Sequence, residues 1–125
     1  IRAVHVYNDW AGEVRAAYTF DAGPNAVLYT LDQHVVELGA LMLRFYPAAA
    51  TAALGSYINN AGYAQTVQQF QLDGGLVAAV ERTGRAPTAG DVKMMYYTRS
   101  GPGPQVLGQE DAIIDPLTGI NTYRP

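Results

Sequence analysis

Residues 14–31 read VRAAYTFDAGPNAVLYTL, and their reading decides the fold. Val14, Ala16, Tyr18 and Phe20 alternate with Arg15, Ala17 and Thr19, the period of two in which successive side chains leave opposite faces of a strand. Asp21-Ala22-Gly23-Pro24-Asn25 then concentrates turn chemistry: Pro fixes φ, Gly admits unusual backbone, and Asp and Asn side chains bond their own main chain. Val27, Tyr29 and Leu31 resume the alternation against Leu28 and Thr30. Two alternating runs about one breaker cluster predict an antiparallel hairpin.

Upstream, Ile1, Ala3, His5 and Tyr7 alternate with Arg2, Val4 and Val6, which predicts a first strand ending in the turn residues Asn8, Asp9 and Gly12. Downstream the period changes. Val35, Leu38, Leu41, Met42 and Phe45 recur at spacings of three and four, the stripe of an amphipathic helix that Pro47 ends or kinks. A second, alanine-rich helix is expected from Pro47 to Ile58. A third carries Tyr63, Val67 and Phe70 on one face, and a short fourth runs from Leu76 to Arg82 with Gly84 as its left-handed cap. Val92, Met94 and Tyr96 alternate with Lys93, Met95 and Tyr97 and predict a closing strand that returns to the sheet.

The fold class expected is therefore α+β: a small antiparallel sheet of about four strands with three to four helices packed on one face. The domain spans residues 1–99. Residues 100–125 open with Gly101, Pro102, Gly103 and Pro104 and read as an extended C-terminal arm. Val106, Leu107, Ile113, Ile114, Leu117, Ile120 and Tyr123 make that arm too apolar for a solvated tail and predict that it lies on a surface, its own or a neighbour's.

The chain has 125 residues, 49 % of them apolar, which suits one domain with one core. Charged residues are 15 %, against roughly 25 % in an average soluble protein, so much of the surface is neutral, as suits contact with other protein. The net charge of −3 and eight scattered basic residues argue against nucleic acid as a partner. Val35 to Ile58 approaches membrane-span length, but Arg44 and Pro47 near its middle argue against insertion. The absence of cysteine excludes disulfides, a thiolate nucleophile and cysteine-ligated metal, and leaves the compartment unread.

His34 and Glu37 stand three apart on a predicted helix and so share a face, a spacing that suits a metal or an oriented base. No further ligand stands at a recognisable spacing, so no metal and no cofactor is expected. His5 in the first predicted strand, with Tyr18 and Tyr29 on its neighbours, is the other acid/base candidate. Tyr57, Tyr63, Tyr96 and Tyr97 join Tyr18 and Tyr29 as ligand-pocket or interface anchors.

No P-loop, dinucleotide glycine pattern, nucleophile elbow or zincin motif occurs. Low charge, the apolar arm, nine tyrosines and the lack of a catalytic constellation lead to a first reading as a non-enzymatic assembly subunit of a virion-like or other multicopy particle, a homo-oligomer whose arm contacts a neighbour. The second reading is a ligand-binding or acid/base domain with a pocket lined by His5, His34, Glu37 and tyrosines. The third, resting on Ile1 where Met would start a chain, is a secreted effector domain cleaved from a larger protein.

Overall fold

In the computed structural model residues 1–101 and 118–119 are described, so Val106, Leu107, Ile113, Ile114, Leu117, Ile120 and Tyr123 of the expected arm lie outside the described residues. Helix α1 (Arg2–Ala11) precedes strands β1 (Ala16–Phe20) and β2 (Ala26–Thr30). A 3-10 turn (Asp32–His34) leads into α2 (Val35–Phe45), followed by α3 (Leu54–Tyr57), α4 (Ala61–Gln69) and α5 (Gly74–Glu81). The class is α+β. Among the described residues the sheet has two strands where about four were expected, and there are five α-helices where three or four were expected.

The hairpin forms as its alternation predicts, with Ala16 opposite Thr30, Tyr18 opposite Leu28 and Phe20 opposite Ala26. Ala16, Tyr18 and Leu28 lie on the face that meets the helices, while Ala17, Thr19, Val27 and Tyr29 lie on the other face and are exposed.

The segment read as a first strand is α1. Seven residues that alternate also place Ala3, Val4 and Tyr7 one and four apart, on one side of a helix, and those three are the buried residues of α1. Gly12, in left-handed backbone at φ 70°, closes the helix by donating its N–H to the Asp9 carbonyl. The expected closing strand is also corrected. Among the described residues Val92–Tyr97 makes one isolated parallel bridge, Met95 with Ile58, and does not return to the hairpin. Asn59 extends that bridge with its side chain, donating Nδ2–H to the Tyr97 carbonyl (3.3 Å) and accepting from the Tyr97 N–H (2.7 Å).

The alanine-rich stretch after Pro47 is a helix only over Leu54–Tyr57. Alanine favours a helix but contributes little burial, and here main-chain bonds are made elsewhere: Thr88 N–H to the Phe45 carbonyl (3.2 Å) and Gly90 N–H to the Pro47 carbonyl (3.3 Å).

The core joins Ala3, Val4 and Tyr7 of α1, Ala16 of β1, Leu38, Leu41 and Phe45 of α2, and Leu76 and Val80 of α5. Burying each of the large aliphatic or aromatic side chains contributes about 1.5–3 kcal/mol. A second cluster holds Tyr57, Ile58 and Ala64 with Met95 and Val92 against them. Helices α2 and α4 meet at Gly39, where the Tyr63 hydroxyl reaches across to donate to the Val35 carbonyl (2.8 Å). Helix α5 is started by Asp73, whose carboxylate accepts from the Gly75 and Leu76 amides (2.7 and 3.1 Å).

Candidate functional site

The two strands present the turn Asp21–Asn25 at their exposed end. Within it the Asp21 carboxylate is oriented by two donors: Oδ1 accepts from the Gly23 amide (2.9 Å) and Oδ2 from Asn25 Nδ2 (3.1 Å). The Asn25 side chain, and after it the Gly23 amide, holds the Asp21 carboxyl below its ordinary value, because both donors favour the charged form. The product is an exposed, ionised carboxylate whose two oxygens each accept one hydrogen bond from the turn.

A second polar cluster joins α1, β1 and α2. Glu37 Oε2 accepts from the Tyr7 hydroxyl (2.6 Å) and from Arg15 Nη1 (3.2 Å), and Arg15 Nε also donates to Glu13 Oε1 (2.9 Å). Burial first, and Glu37 second, pushes the Tyr7 hydroxyl far above its ordinary value, so it stays a neutral donor. Trp10 stacks beside Tyr7 (6.3 Å between ring centres) and lies under the Arg15 guanidinium (5.7 Å). With Oε2 shared by a phenol and a cation, Glu37 ties α2 to α1 and to the residue that precedes β1.

The structure does not join His34 to Glu37. His34 ends the 3-10 turn and its Nε2 lies 3.0 Å from Gln33 Nε2, while Glu37 faces Tyr7 and Arg15. His5 is on α1 and not on a strand; its Nε2 lies 3.2 Å from the Tyr18 hydroxyl, with the rings edge to face. Tyr29 and Tyr96 are exposed, and Tyr57 is buried with its hydroxyl donating to the Tyr46 carbonyl (2.6 Å). Tyr63 stacks on Tyr97 (4.2 Å), whose hydroxyl oxygen accepts from Arg99 Nε (2.7 Å). These histidines and tyrosines do not share a pocket. A shallow cleft of about 200 Å3 is lined by Arg2, Ala3, Tyr46, Thr83, Gly84 and Arg85, none of them a sequence candidate.

Among the described residues no group of three or more His, Cys, Asp or Glu side chains is placed to hold a metal, and no helix is long and apolar enough to cross a membrane.

Residues 1–107 match the family described as the mevalonate 5-diphosphate decarboxylase C-terminal domain. The chain belongs to that family. The diphosphomevalonate decarboxylase of Homo sapiens is 39 % identical over 107 residues, which are 86 % of this chain and 24 % of the relative. That of Ganoderma lucidum is 37 % identical over 107 residues, 84 % of this chain and 24 % of the relative, and that of Bos taurus 35 % over 112 residues, 90 % and 26 %. The chain spans about a quarter of the length of these curated relatives.

Membership overturns the reading as a non-enzymatic, virion-like assembly subunit: this is a domain of an enzyme family. The secreted-effector reading gives way with it. Low charge, many tyrosines and an apolar arm are as compatible with a segment that packs inside a larger enzyme as with a particle subunit, and composition does not separate the two. The sequence reads Asp21 as a turn residue only, whereas the structure holds its carboxylate with two donors. Its signal was the Asp-x-Gly-x-Asn spacing, in which a carboxylate meets two donors in one turn, and that spacing was assigned to turn formation alone.

Proposed function

We propose that this chain is part of an enzyme that decarboxylates diphosphomevalonate, and that its hairpin turn supplies the Asp21 carboxylate to the substrate. The match over residues 1–107 is the observation that carries the reading. The turn geometry supports the residue assignment: an ionised carboxylate is an acceptor only, so it meets a hydroxyl of an anionic substrate and not its carboxylate or diphosphate. Accepting that hydrogen bond orients the hydroxyl, and taking up its proton lets the oxygen attack a phosphoryl donor bound by the rest of the enzyme, which turns it into the leaving group that loss of CO2 expels. The remaining three quarters of such an enzyme would bring the cations that a polyanion needs, since this domain carries a net negative charge.

The test is Asp21→Asn in the longer enzyme that contains this sequence, read by release of CO2 from carboxyl-labelled diphosphomevalonate. Asparagine keeps the shape and removes the charge, so kcat falls by roughly 10²–10⁴-fold, while the unfolding midpoint falls by no more than the loss of the one exposed hydrogen bond to Asn25. A rate within about twofold of the parent would remove Asp21 from the site. If the parent enzyme leaves diphosphomevalonate intact, the substrate assignment is lost.

A further inference from the structure

Residues Asp21–Asn25 connect the last facing pair of the hairpin, Phe20 and Ala26, so Asp21 and Asn25 are the next positions beyond the two strand ends. Pro24 between them has no N–H to offer. The Gly23 amide reaches Asp21 Oδ1 at 2.9 Å, and the donor to the other oxygen, Oδ2, is a side chain, Asn25 Nδ2 at 3.1 Å. A carboxylate turns easily about its last torsion, whose wells are broad. One anchor at Gly23 leaves much of that rotation open. A second anchor on the opposite oxygen restricts it.

Each oxygen of an ionised carboxylate offers two acceptor sites, and the turn takes one on each. The other two are not used within the turn, and Asp21 is exposed, so they are open to a hydroxyl brought from outside. Among the described residues Asp21 has no ion-pair partner, and no charged side chain adds to its acidity, which comes from Asn25 first and Gly23 second. Both bonds lie within five consecutive residues, so the device is built into the turn itself.

We propose that Asn25 is a positioning residue for the decarboxylation: by donating to Oδ2 it sets the plane of the Asp21 carboxylate, so that the acceptor sites left free meet the substrate's hydroxyl. The inference rests on the reading of Asp21 as the group that takes up the hydroxyl proton. Asn25 acts through Asp21 and not on the substrate. Without its amide the carboxylate turns more freely, is in line with the hydroxyl for less of the time, and kcat falls. Asn25 is also the larger of the two influences that hold the Asp21 carboxyl below its ordinary value. Removing it lets the carboxyl take up a proton at higher pH, so activity is lost earlier as pH falls. A residue needed only for the turn would not behave in this way towards aspartate, because aspartate and asparagine serve a turn alike.

The experiment compares the parent, Asn25→Ala and Asn25→Asp in the intact longer enzyme. Two quantities are followed against pH: turnover of carboxyl-labelled diphosphomevalonate, and the NMR signal of the Asp21 carboxyl carbon in enzyme made with isotope-labelled aspartate, identified by its absence from Asp21→Asn. Asn25→Asp keeps the turn chemistry but replaces the donor with a like charge beside Oδ2, and so keeps the comparison open should alanine loosen the turn. The acid limb of kcat/KM and the carboxyl titration are expected to move to higher pH in Asn25→Ala and further in Asn25→Asp; the substrate's own ionisation is common to all three and cancels. At the parent's optimum pH, kcat of each variant drops by roughly tenfold or more. If the titration and the acid limb coincide in all three enzymes, or kcat of Asn25→Asp stays within about twofold of the parent, Asn25 does not position the carboxylate and the proposal is overturned. The NMR titration reads the bond to Asn25 without turnover, which separates the two ways of failing. An unmoved titration beside an inactive Asp21→Asn sinks the role of Asn25 alone, whereas a parental rate in Asp21→Asn overturns the reading of Asp21 and this inference with it.

Discussion

Replacing Gly39 with alanine tests how tightly α2 and α4 meet, because two effects of opposite sign compete at that position. In an ordinary helix interior the change stabilises by about 0.5–1 kcal/mol, since alanine loses less backbone freedom on folding. Here a Cβ would overlap the Tyr63 hydroxyl and stand 2.9 Å from Tyr63 Cζ and 3.0 Å from Val67 Cγ2. Val67 is buried and cannot retreat. Tyr63 is held by the Val35 carbonyl at 2.8 Å and by stacking on Tyr97 at 4.2 Å, so relief means giving up that hydrogen bond, about 1 kcal/mol. Overpacking adds about 1–3 kcal/mol, and the net is a loss of about 1–3 kcal/mol. Urea titration of parent and variant with a common slope measures it. Adding Tyr63→Phe removes the nearest clashing atom, and the double variant recovers at least about 0.5 kcal/mol relative to the sum of the single changes. A Gly39→Ala chain more stable than the parent would refute the close approach.

Asn8→Ala removes three hydrogen bonds, to the Arg15 amide and to both main-chain groups of Ala16, and loosens β1 from α1. The expected loss is about 2–3 kcal/mol by urea unfolding, and a loss under about 0.5 kcal/mol would show that the clamp is dispensable. Stability also falls in alkali. Burial, with a smaller effect from Tyr97, pushes the Tyr63 hydroxyl up to about 12, whereas an unfolded tyrosine ionises near pH 10. Above about pH 10 the unfolded state therefore binds fewer protons than the folded one, and the stability fully present below that pH is lost as pH rises toward about 12. Unfolding midpoints between about pH 8 and 11.5 should fall less steeply for Tyr63→Phe than for the parent, and parallel curves would remove Tyr63 as a cause.

What the residues revealed depended on whether the deciding partner was local. The hairpin was legible because Asp21, Gly23, Pro24 and Asn25 state the turn within five positions. Helix α2 was legible because Val35 through Phe45 carries its stripe over three turns. Ile1–Tyr7 was not, because a seven-residue alternation fits a strand as well as a helix that buries Ala3, Val4 and Tyr7, and packing against Leu76 and Val80 decides between them. Val92–Tyr97 kept its strand pattern but found only Ile58 to pair with. The same holds for the candidate residues. Glu37 was visible only beside His34, its neighbour in sequence, whereas its actual partners Tyr7 and Arg15 lie 30 and 22 positions away.

The side chain of Asn59 does for Tyr97 what a neighbouring strand's peptide group would do, because a primary amide carries the same donor and acceptor at nearly the same spacing. Unlike a peptide unit, that amide can be hydrolysed without cutting the chain. Conversion to aspartate replaces the donor with an oxygen facing the Tyr97 carbonyl, so one rung turns from attraction to repulsion while the sequence around it is untouched. The seam between Tyr57–Asn59 and Met95–Tyr97 thus has a chemical lifetime as well as a thermodynamic strength.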